Sequence, residues 1–431
     1  MREPVNSREE LRRDLENRRS EVQLPDVVSL KTLKRIRVRR LGVVATGLAL
    51  ILVLFGSGFA AFRSLGSSEQ EQPGERTPGL SEDWSLIDPA PLGPRGHASQ
   101  HAFWTGESLL VIDGGHNPSF HAMMGAIYDA SRSSWRPIAD SPLGRRGGYS
   151  TVWTGEQLIV WGGSGEGGVL SDGATYDPET DRWEMLPDSP LSARSGHSAV
   201  WTGSQMIVQG GSPGSGLLED GAAYDPVKDS WTLTAPAPDG GRSDTATVWT
   251  GAQMAIWGGA GSKGLPSDGF LYDPLSDSWT RMSNSPLAGR VEAAGVWTGQ
   301  EFIVWGGSSL AHEEPTFSDG AAYDPSNDSW RLLSPSPLAP RQRHSFVWTG
   351  TKAFFWGGTS DEAFKGYGEL LDDGAVYDPE QDSWSLLPKS PLEGRALSSA
   401  VWTGREVIVW GGCCVDHFDV DNFLDGATFT P

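Results

Sequence analysis

Cysteine is nearly absent from this 431-residue chain, and the two residues present, Cys413 and Cys414, are adjacent. A disulfide framework of the kind that stabilises small secreted domains is therefore excluded. Two alternatives remain open for the pair: an adjacent disulfide, or a metal cluster with Asp416 and His417. Because no pair of ligands recurs at zinc spacing, we predict neither a metal nor a cofactor.

Basic charge is also scarce. The chain has 34 Lys and Arg residues against 55 Asp and Glu residues, a net charge of −21. Residues 1–40 hold 12 basic and 7 acidic side chains, and residues 41–82 hold 2 and 4, so residues 83–431 carry −24. Nucleic acid binding rewards a basic surface, so this composition excludes nucleic acid as a partner. It favours basic or neutral partners.

Long hydrophobic runs are limited to one, residues 41–62, which contain no charged side chain. Its 22 residues, at about 1.5 Å each, span a hydrocarbon core of roughly 30 Å. Six basic residues lie between positions 31 and 40, so the positive-inside rule predicts a single-pass membrane protein with a cytoplasmic N-terminus. A cleaved signal peptide is the alternative, but its apolar part is shorter, about 7–15 residues.

These patterns predict four regions. Residues 1–40 form a cytoplasmic basic tail, and residues 41–62 form a transmembrane signal anchor. Residues 63–82 are polar and rich in Pro and Gly, as expected of a flexible linker. Residues 83–431 form an extracytoplasmic domain.

That domain lacks any helical period and consists of seven units of about 50 residues. Each unit contains Trp-Thr-Gly, then an apolar run ending in Gly-Gly, then a Tyr-Asp-Pro-like strand and a further Trp. Each unit carries four short strand signals, rich in β-branched and aromatic residues and separated by Gly, Pro and Asp. A repeat of this kind is typical of a β-propeller blade. The sequence therefore predicts an all-β, seven-bladed propeller preceded by a single transmembrane helix.

The last unit lacks a fourth strand. The chain ends shortly after Phe429, at the third strand, whereas Trp84 matches the fourth-strand tryptophan of the other units but precedes unit one. We therefore expect the strand that contains Trp84 to complete the last blade, so that no blade edge stays open. All 19 Trp residues fall at three positions of the repeat, which indicates packing between blades.

The Gly-Gly doublet, the following Tyr and the Trp after a short turn resemble the kelch repeat of galactose-oxidase-type propellers, over residues 83–431. The resemblance implies a kelch-type propeller. Proteins of this type include protein-binding scaffolds, a copper radical oxidase and sugar mutarotases, so the resemblance alone does not fix a function.

Loop lengths indicate where a ligand binds. Eight residues separate Gly-Gly from the Asp-Gly position in units one to four, against 11, 14 and 12 in units five to seven. Unit one departs from the repeat in composition, since Asp113 stands where a Trp precedes Gly-Gly. Because successive strands run in opposite directions, the connections between second and third strands share one face with the inter-blade segments. Binding residues concentrate in variable loops on a rigid scaffold, so we predict a site on that face. The candidate ligand-binding residues are Asp113, His116, His121, His312, Arg343, His344, Tyr367, Asp416 and His417.

Each inter-blade segment also contains an Arg, and two interpretations of these residues remain open. They form a ring at the channel mouth that binds carboxylates, or they are structural and bind a neighbouring blade. Arg343 and His344 lie outside this repeated position and are the more specific candidates. The repeated arginines are Arg95, Arg146, Arg194, Arg242, Arg290, Arg341 and Arg395.

Catalytic motifs are missing: we find no nucleophile elbow, phosphate loop or zinc-protease motif. Six of the eight Tyr residues are repeat positions, which leaves Tyr149 and Tyr367 for the ligand set of a copper oxidase. We therefore predict a membrane-anchored propeller that binds a protein or a glycan through its variable loops. The alternative is a carbohydrate-active enzyme, a mutarotase or oxidase of kelch type.

Overall fold

The structure is a computed structural model. It describes residues 83–92, 100–115, 122–309, 316–360, 369–413 and 423–431. Within these ranges, no helix is long and apolar enough to cross a membrane. The predicted tail, transmembrane anchor and linker (residues 1–82) lie outside them.

Strands account for the regular structure, and the first half of the propeller contains 17 of them. They are β1 (Trp84–Ile87), β2 (Gln100–Trp104), β3 (Ser108–Asp113), β4 (Met124–Asp129), β5 (Ser134–Pro137), β6 (Ser150–Trp153), β7 (Leu158–Trp161), β8 (Ser164–Gly165), β9 (Gly168–Val169), β10 (Gly173–Asp177), β11 (Arg182–Met185), β12 (Ser198–Trp201), β13 (Met206–Gln209), β14 (Gly221–Asp225), β15 (Ser230–Thr234), β16 (Arg242–Ser243) and β17 (Ala246–Trp249).

The second half continues the same pattern up to the end of the chain. Its strands are β18 (Met254–Trp257), β19 (Ala260–Gly261), β20 (Gly269–Asp273), β21 (Ser278–Arg281), β22 (Ala294–Trp297), β23 (Phe302–Trp305), β24 (Gly320–Asp324), β25 (Ser329–Leu332), β26 (Ser345–Trp348), β27 (Ala353–Trp356), β28 (Gly374–Asp378), β29 (Ser383–Leu386), β30 (Ser399–Trp402), β31 (Val407–Trp410) and β32 (Gly426–Phe429).

Seven four-stranded antiparallel sheets form the blades of a propeller. In six of them the four strands follow one another along the chain, as in β2-β3-β4-β5. The seventh has the order β1-β32-β31-β30, with Trp84 opposite Phe429 and Ile87 opposite Gly426. One strand from the start of the propeller therefore completes the last blade and closes the ring.

Each pair of neighbouring blades shares a hydrophobic core. The Trp before Gly-Gly occupies such a core in five blades and is fully buried each time (Trp161, Trp257, Trp305, Trp356 and Trp410). Among the described residues, seven buried clusters alternate with the seven blades around the ring. The cluster of Trp410 with Leu109 and Val111 joins blade seven to blade one. Burial of these large rings is what holds the blades in a circle.

Hydrogen bonds also join neighbouring blades, on the outside of the ring. The Trp of every fourth strand donates its indole N–H to a carbonyl oxygen of the preceding blade's outgoing segment, at 2.7–3.2 Å. Trp183, for example, donates to Ala139. The same Ala139 donates its N–H to Asp181, which also accepts the hydroxyl hydrogen of Tyr176. The recurring Trp, Tyr and Asp are thus structural, as expected for residues present in nearly every repeat.

Gly-Gly is required where two segments approach closely. Gly163 has φ = +98°, and a Cβ there would lie 2.8 Å from the carbonyl oxygen of Gly147. Only glycine combines this conformation with so little space. The doublet therefore lets the segment that enters a blade pack against the loop that follows its second strand.

Candidate functional site at the channel mouth

The two faces of the propeller are formed by different connections. Short bridges join the segment entering a blade to the residue after Gly-Gly, as at Gly147 and Ser164 or at Gln342 and Thr359. These connections form what we call the mouth face. The Trp-Thr-Gly turns and the Tyr-Asp-Pro turns lie at the other ends of the strands and form the turn face. The variable loops and the inter-blade segments thus share one face, as the sequence predicts.

The repeated arginines are buried within this face. Six are described, and their exposed fractions lie between 0% and 4% (Arg146, Arg194, Arg242, Arg290, Arg341 and Arg395). Arg194 donates to the carbonyl oxygens of Gly210 and Asp220, at 3.0 and 3.1 Å, and to the Asp220 carboxylate at 3.0 Å. Each of the six donates in the same way to the first glycine of the doublet in its own blade. Of the two interpretations, the structural one holds for these six residues, but the hydrogen bonds lie within the arginine's own blade and not in a neighbouring one. Arg95 lies outside the described residues.

Two residues beyond each buried arginine, the backbone turns into the left-handed region. The φ values at these positions lie between 55° and 63°. We call these six residues the rim: Gly148, Gly196, Asp244, Glu292, Arg343 and Leu397.

Neighbouring rim residues are joined through their backbones. Gly196 donates its N–H to Gly148 and Asp244 donates to Gly196, both at 3.0 Å, and Leu397 donates to Arg343 at 2.8 Å. A left-handed conformation costs a residue other than glycine about 1–3 kcal/mol and is often found at ligand-binding sites. The rim therefore presents one backbone geometry with a different side chain at almost every blade.

Charge is concentrated on one side of the rim, in blades four to six. Arg343 forms an ion pair with Glu292, its Nε lying 2.9 Å from Oε2. Desolvation by the surrounding residues raises the pKa of Asp244, and the negative charge of Glu292 raises it further, against the opposing effects of a hydrogen bond with Ser243 and the positive charge of Arg343. The adjoining arc of the rim, in blades two and three, consists of Gly148 and Gly196, which have no side chains and leave space next to Asp244.

Below the rim lies a cavity of about 510 Å³, lined by the innermost strands and the residues that lead into them. One wall is polar. The hydroxyl groups of Ser198, Thr245 and Thr247 lie 2.6–3.0 Å from one another in a triangle. The facing wall is apolar and includes Phe346 and Leu397, whose exposed fractions are 38% and 42%. The cavity thus offers a ligand both hydrogen-bonding groups and an apolar surface.

Of the sequence-predicted site residues, Arg343 reaches the rim. His344, the next residue, is buried and packs edge-on against Trp305 at 4.9 Å between ring centroids. Burial, together with the positive charge of Arg341, lowers the pKa of His344 to about 3. His197 packs against Trp161 in the same way in blade three. His344 therefore occupies the same position in its unit as His197, four residues before the Trp of Trp-Thr-Gly, and serves to pack the blades.

Asp113 is fully buried, and its carboxylate is used inside the propeller. It accepts the N–H of Gly115 at 2.8 Å and the side-chain amide of Gln100 at 3.1 Å. The sequence interpretation that Asp113 replaces the Trp is wrong, because Ile112 pairs with Gly125 as Trp161 pairs with Gly173. Blade one has one more residue in this strand, and Asp113 is the additional residue.

The other six predicted residues lie outside the described residues: His116, His121, His312, Tyr367, Asp416 and His417. Cys414 also lies outside them, whereas Cys413 is buried. Within the described ranges, no group of three or more His, Cys, Asp or Glu side chains is placed to hold a metal ion.

Sequence reasoning missed Asp244, Glu292, Phe346 and Leu397. The signal that identifies the rim is alignment on Trp-Thr-Gly. Five residues before the Trp, units two to seven contain Gly, Gly, Asp, Glu, Arg and Leu. This position varies in chemistry between blades, whereas the arginine two residues earlier does not.

One pair of side chains resembles a nucleophile and its base. The Nε2 atom of His197 lies 2.7 Å from the hydroxyl oxygen of Ser150. Burial and the nearby Arg194 lower the pKa of His197 to about 3, so it is a weak base near neutral pH. Its Nδ1 has no hydrogen-bond partner among the described residues, so no carboxylate orients the ring there. The pair is therefore better explained as packing than as catalysis.

The ring of seven four-stranded blades, with Gly-Gly doublets, Tyr-Asp turns and fourth-strand tryptophans, defines a kelch-type β-propeller. Residues 80–245 and 243–425 match the KLHDC2/KLHL20/DRC7 Kelch-repeats domain. These matches span more than half of the 431 residues, and the chain belongs to this family. No curated protein matches the chain. Kelch propellers typically act as protein-binding modules.

Proposed function

We propose that this protein is a membrane-anchored, extracytoplasmic kelch propeller that binds a partner protein at the channel mouth. The rim supports the proposal most directly. Its residues share one left-handed backbone geometry but differ in charge, size and polarity. A scaffold that is constant in backbone and variable in side chain is the usual arrangement of a recognition surface.

The apolar wall of the cavity adds to this support. Phe346 and Leu397 face the cavity and remain partly exposed, whereas the hydrophobic residues between the blades are buried. Exposed aromatic and aliphatic side chains beside charged groups are typical anchors of a protein interface. Binding of a partner protein at this surface needs no catalytic group.

Photo-crosslinking in intact cells tests the proposal. Benzoylphenylalanine replaces Phe346 in the full chain, since it keeps the aromatic ring and adds a photoreactive benzoyl group. The control carries it in place of Leu275, which is 96% exposed on the turn face. We expect a partner protein to be crosslinked from position 346 but not from position 275. Absence of a product specific to position 346 would contradict the proposal.

Membrane anchoring is a separate part of the proposal, and it is supported by the uncharged residues 41–62 and the basic residues before them. We expect the full chain to stay in the membrane pellet after alkaline extraction. We expect protease added outside the membrane to digest an epitope tag placed after residue 431 and to spare a tag at residue 1. Extraction into the soluble fraction, or the reverse pattern of protection, would contradict the anchor or its orientation.

A glycan is the second candidate ligand, because the hydroxyl triangle of Ser198, Thr245 and Thr247 lines the cavity. A glycan array that includes cell-wall fragments distinguishes the two. Selective glycan binding that disappears when Phe346 is changed to Ala would replace the protein partner by a sugar. Turnover of that sugar would then support the carbohydrate-active enzyme.

A further inference from the structure

The described rim of the channel mouth has one acidic side chain more than it has cations. Asp244 and Glu292 are the two acidic residues of the described rim, and Arg343 is its one cation. Arg343 is engaged by Glu292, with Nε at 2.9 and 3.1 Å from the two carboxylate oxygens. The described residues provide Asp244 with no ion pair. A cationic ligand group placed beside Asp244 would therefore gain a charge partner without displacing Arg343.

The position of the Asp244 side chain favours access from the cavity. Its Oδ1 atom lies over Gly196, 2.9 Å from where a Cβ of residue 196 would stand. The carboxylate thus occupies the side of the mouth where Gly148 and Gly196 leave space. The Ser198, Thr245 and Thr247 hydroxyl groups line the same cavity and can accept further hydrogen bonds from an ammonium or guanidinium group.

The apolar wall of the cavity determines which groups of the ligand accompany a cation bound at Asp244. Phe346 and Leu397 present apolar surface to the same cavity. The methylene groups of a Lys or Arg side chain, or an adjacent apolar residue, would cover this surface while the charged end reaches Asp244. The net charge of −24 on residues 83–431 attracts a basic partner and repels an acidic one over longer distances.

We propose that the channel mouth selects a partner segment in which a Lys or Arg side chain contacts Asp244 and an apolar group contacts Phe346 and Leu397. This inference rests on the proposed function, since it specifies the chemistry of the protein that binds there. Glu292 supports the selection by holding Arg343 in an ion pair of its own, although the charge of Arg343 also acts on Asp244.

Selection of random nonapeptides, displayed on phage, against the purified full chain tests this specificity. We expect Lys and Arg, next to apolar residues, to be enriched in the selected sequences. Asp244→Asn is the informative variant, because it removes the charge and Asn tolerates the left-handed conformation. We expect it to weaken binding of the selected peptides about tenfold, the effect of roughly 1.4 kcal/mol. The matched control is Glu107→Gln, which removes the same charge from an exposed residue of the turn face.

The direction in which a second variant changes peptide affinity separates an effect on recognition from an effect on folding. Arg343→Gln removes the competing cation, so we expect it to tighten binding of the same peptides several-fold. A residue with only a structural role would not give opposite effects at Asp244 and Arg343. Unchanged binding in Asp244→Asn, or enrichment of acidic peptides, would overturn the inference.

The outcomes also separate this inference from the proposed function. Suppose that a partner is crosslinked from position 346 equally well in wild type and in Asp244→Asn. This result refutes the contact between a partner's Lys or Arg and Asp244, and it leaves the channel mouth as the binding site. Loss of the crosslink at position 346 in every form of the protein refutes both.

Discussion

Trp84 donates its indole N–H to the carbonyl oxygen of Pro388, 3.1 Å away and 304 residues later in the sequence. The bond joins the strand that closes blade seven to the outgoing segment of blade six. The same bond recurs in the other six blades. Only here does it hold a strand that reaches its blade from the far end of the repeat array.

Replacing Trp84 by Ala should therefore open the ring at this blade. We expect a loss of about 3–5 kcal/mol in the free energy of unfolding, as for other buried Trp residues. Hydrogen exchange should increase in both β1 and β32, because each protects the other. Trp279→Ala is the matched control, since it removes the equivalent bond to Ala235 within a blade of consecutive strands. Equal exchange in β1 and β32 for the two variants would contradict the prediction.

The buried arginines should tolerate even a conservative change poorly. Arg194→Lys keeps the charge but loses the planar set of donors that reaches Gly210 and Asp220 together. We expect a loss of about 1.5–3 kcal/mol, measured by urea unfolding, because buried carbonyl oxygens lose their charged hydrogen-bond donor. Arg281→Lys is the control, because Arg281 is 61% exposed in its ion pair with Asp268. Such a surface pair contributes less than about 1 kcal/mol.

The buried histidines predict a loss of stability in mild acid. The pKa values of His197 and His344 are lowered to about 3 by burial, whereas an unfolded histidine has a pKa near 6.5. The unfolded state therefore binds more protons between these values. The stability that the neutral histidines provide is complete above pH 6.5 and is lost as the pH falls.

Each histidine should lower the free energy of unfolding by about 2 kcal/mol between pH 7.5 and pH 5. The double variant His197→Thr and His344→Ser carries the side chains found at the same position in blades four and seven. We expect its unfolding free energy, measured in urea, to fall by about 4 kcal/mol less over this interval. An equally steep decline in the variant would show that other groups cause the acid sensitivity.

The two rim glycines should respond differently to the same substitution. Both have left-handed φ values, so an Ala at either position carries a similar strain of about 1–2 kcal/mol. A Cβ at residue 196 would lie 2.9 Å from the Asp244 carboxylate, whereas one at residue 148 would make contacts of 3.4 Å or more. We expect Gly196→Ala, but not Gly148→Ala, to weaken crosslinking from position 346. Similar losses in both variants would attribute the effect to the backbone.

The fold could be predicted because its residues recur. The Trp, Gly-Gly and Tyr-Asp positions contact neighbouring blades in the same way each time, so they appear in the sequence at a fixed period. The blade count follows directly, and the position of Trp84 identifies the blade that β1 completes. The single extra residue in blade one could not be placed, since Asp113 and Ile112 align equally well with the missing Trp.

Apart from Arg343, the rim could not be predicted, for the opposite reason. Glu292, Arg343 and Leu397 form no motif, and their residue types rarely adopt the left-handed conformation that they have here. That conformation is imposed by the buried arginine two residues earlier and by the bridge to the Gly-Gly loop. His344 lies outside the repeated arginine position in the sequence, but its packing against Trp305 depends on the ring of blades and not on local sequence.

The closure of the ring by β1 also determines how the propeller resists a mechanical load. Trp84 pairs with Phe429 at the turn face and Ile87 pairs with Gly426 at the mouth face, so β1 runs from the turn face to the mouth face. A force that pulls residue 83 away from a partner held at the mouth acts along this strand. Such a force loads the four residue pairs between β1 and β32 simultaneously, in shear. A force perpendicular to the strands would instead separate the pairs one at a time. The blade that closes the ring is thus oriented to keep it closed under tension.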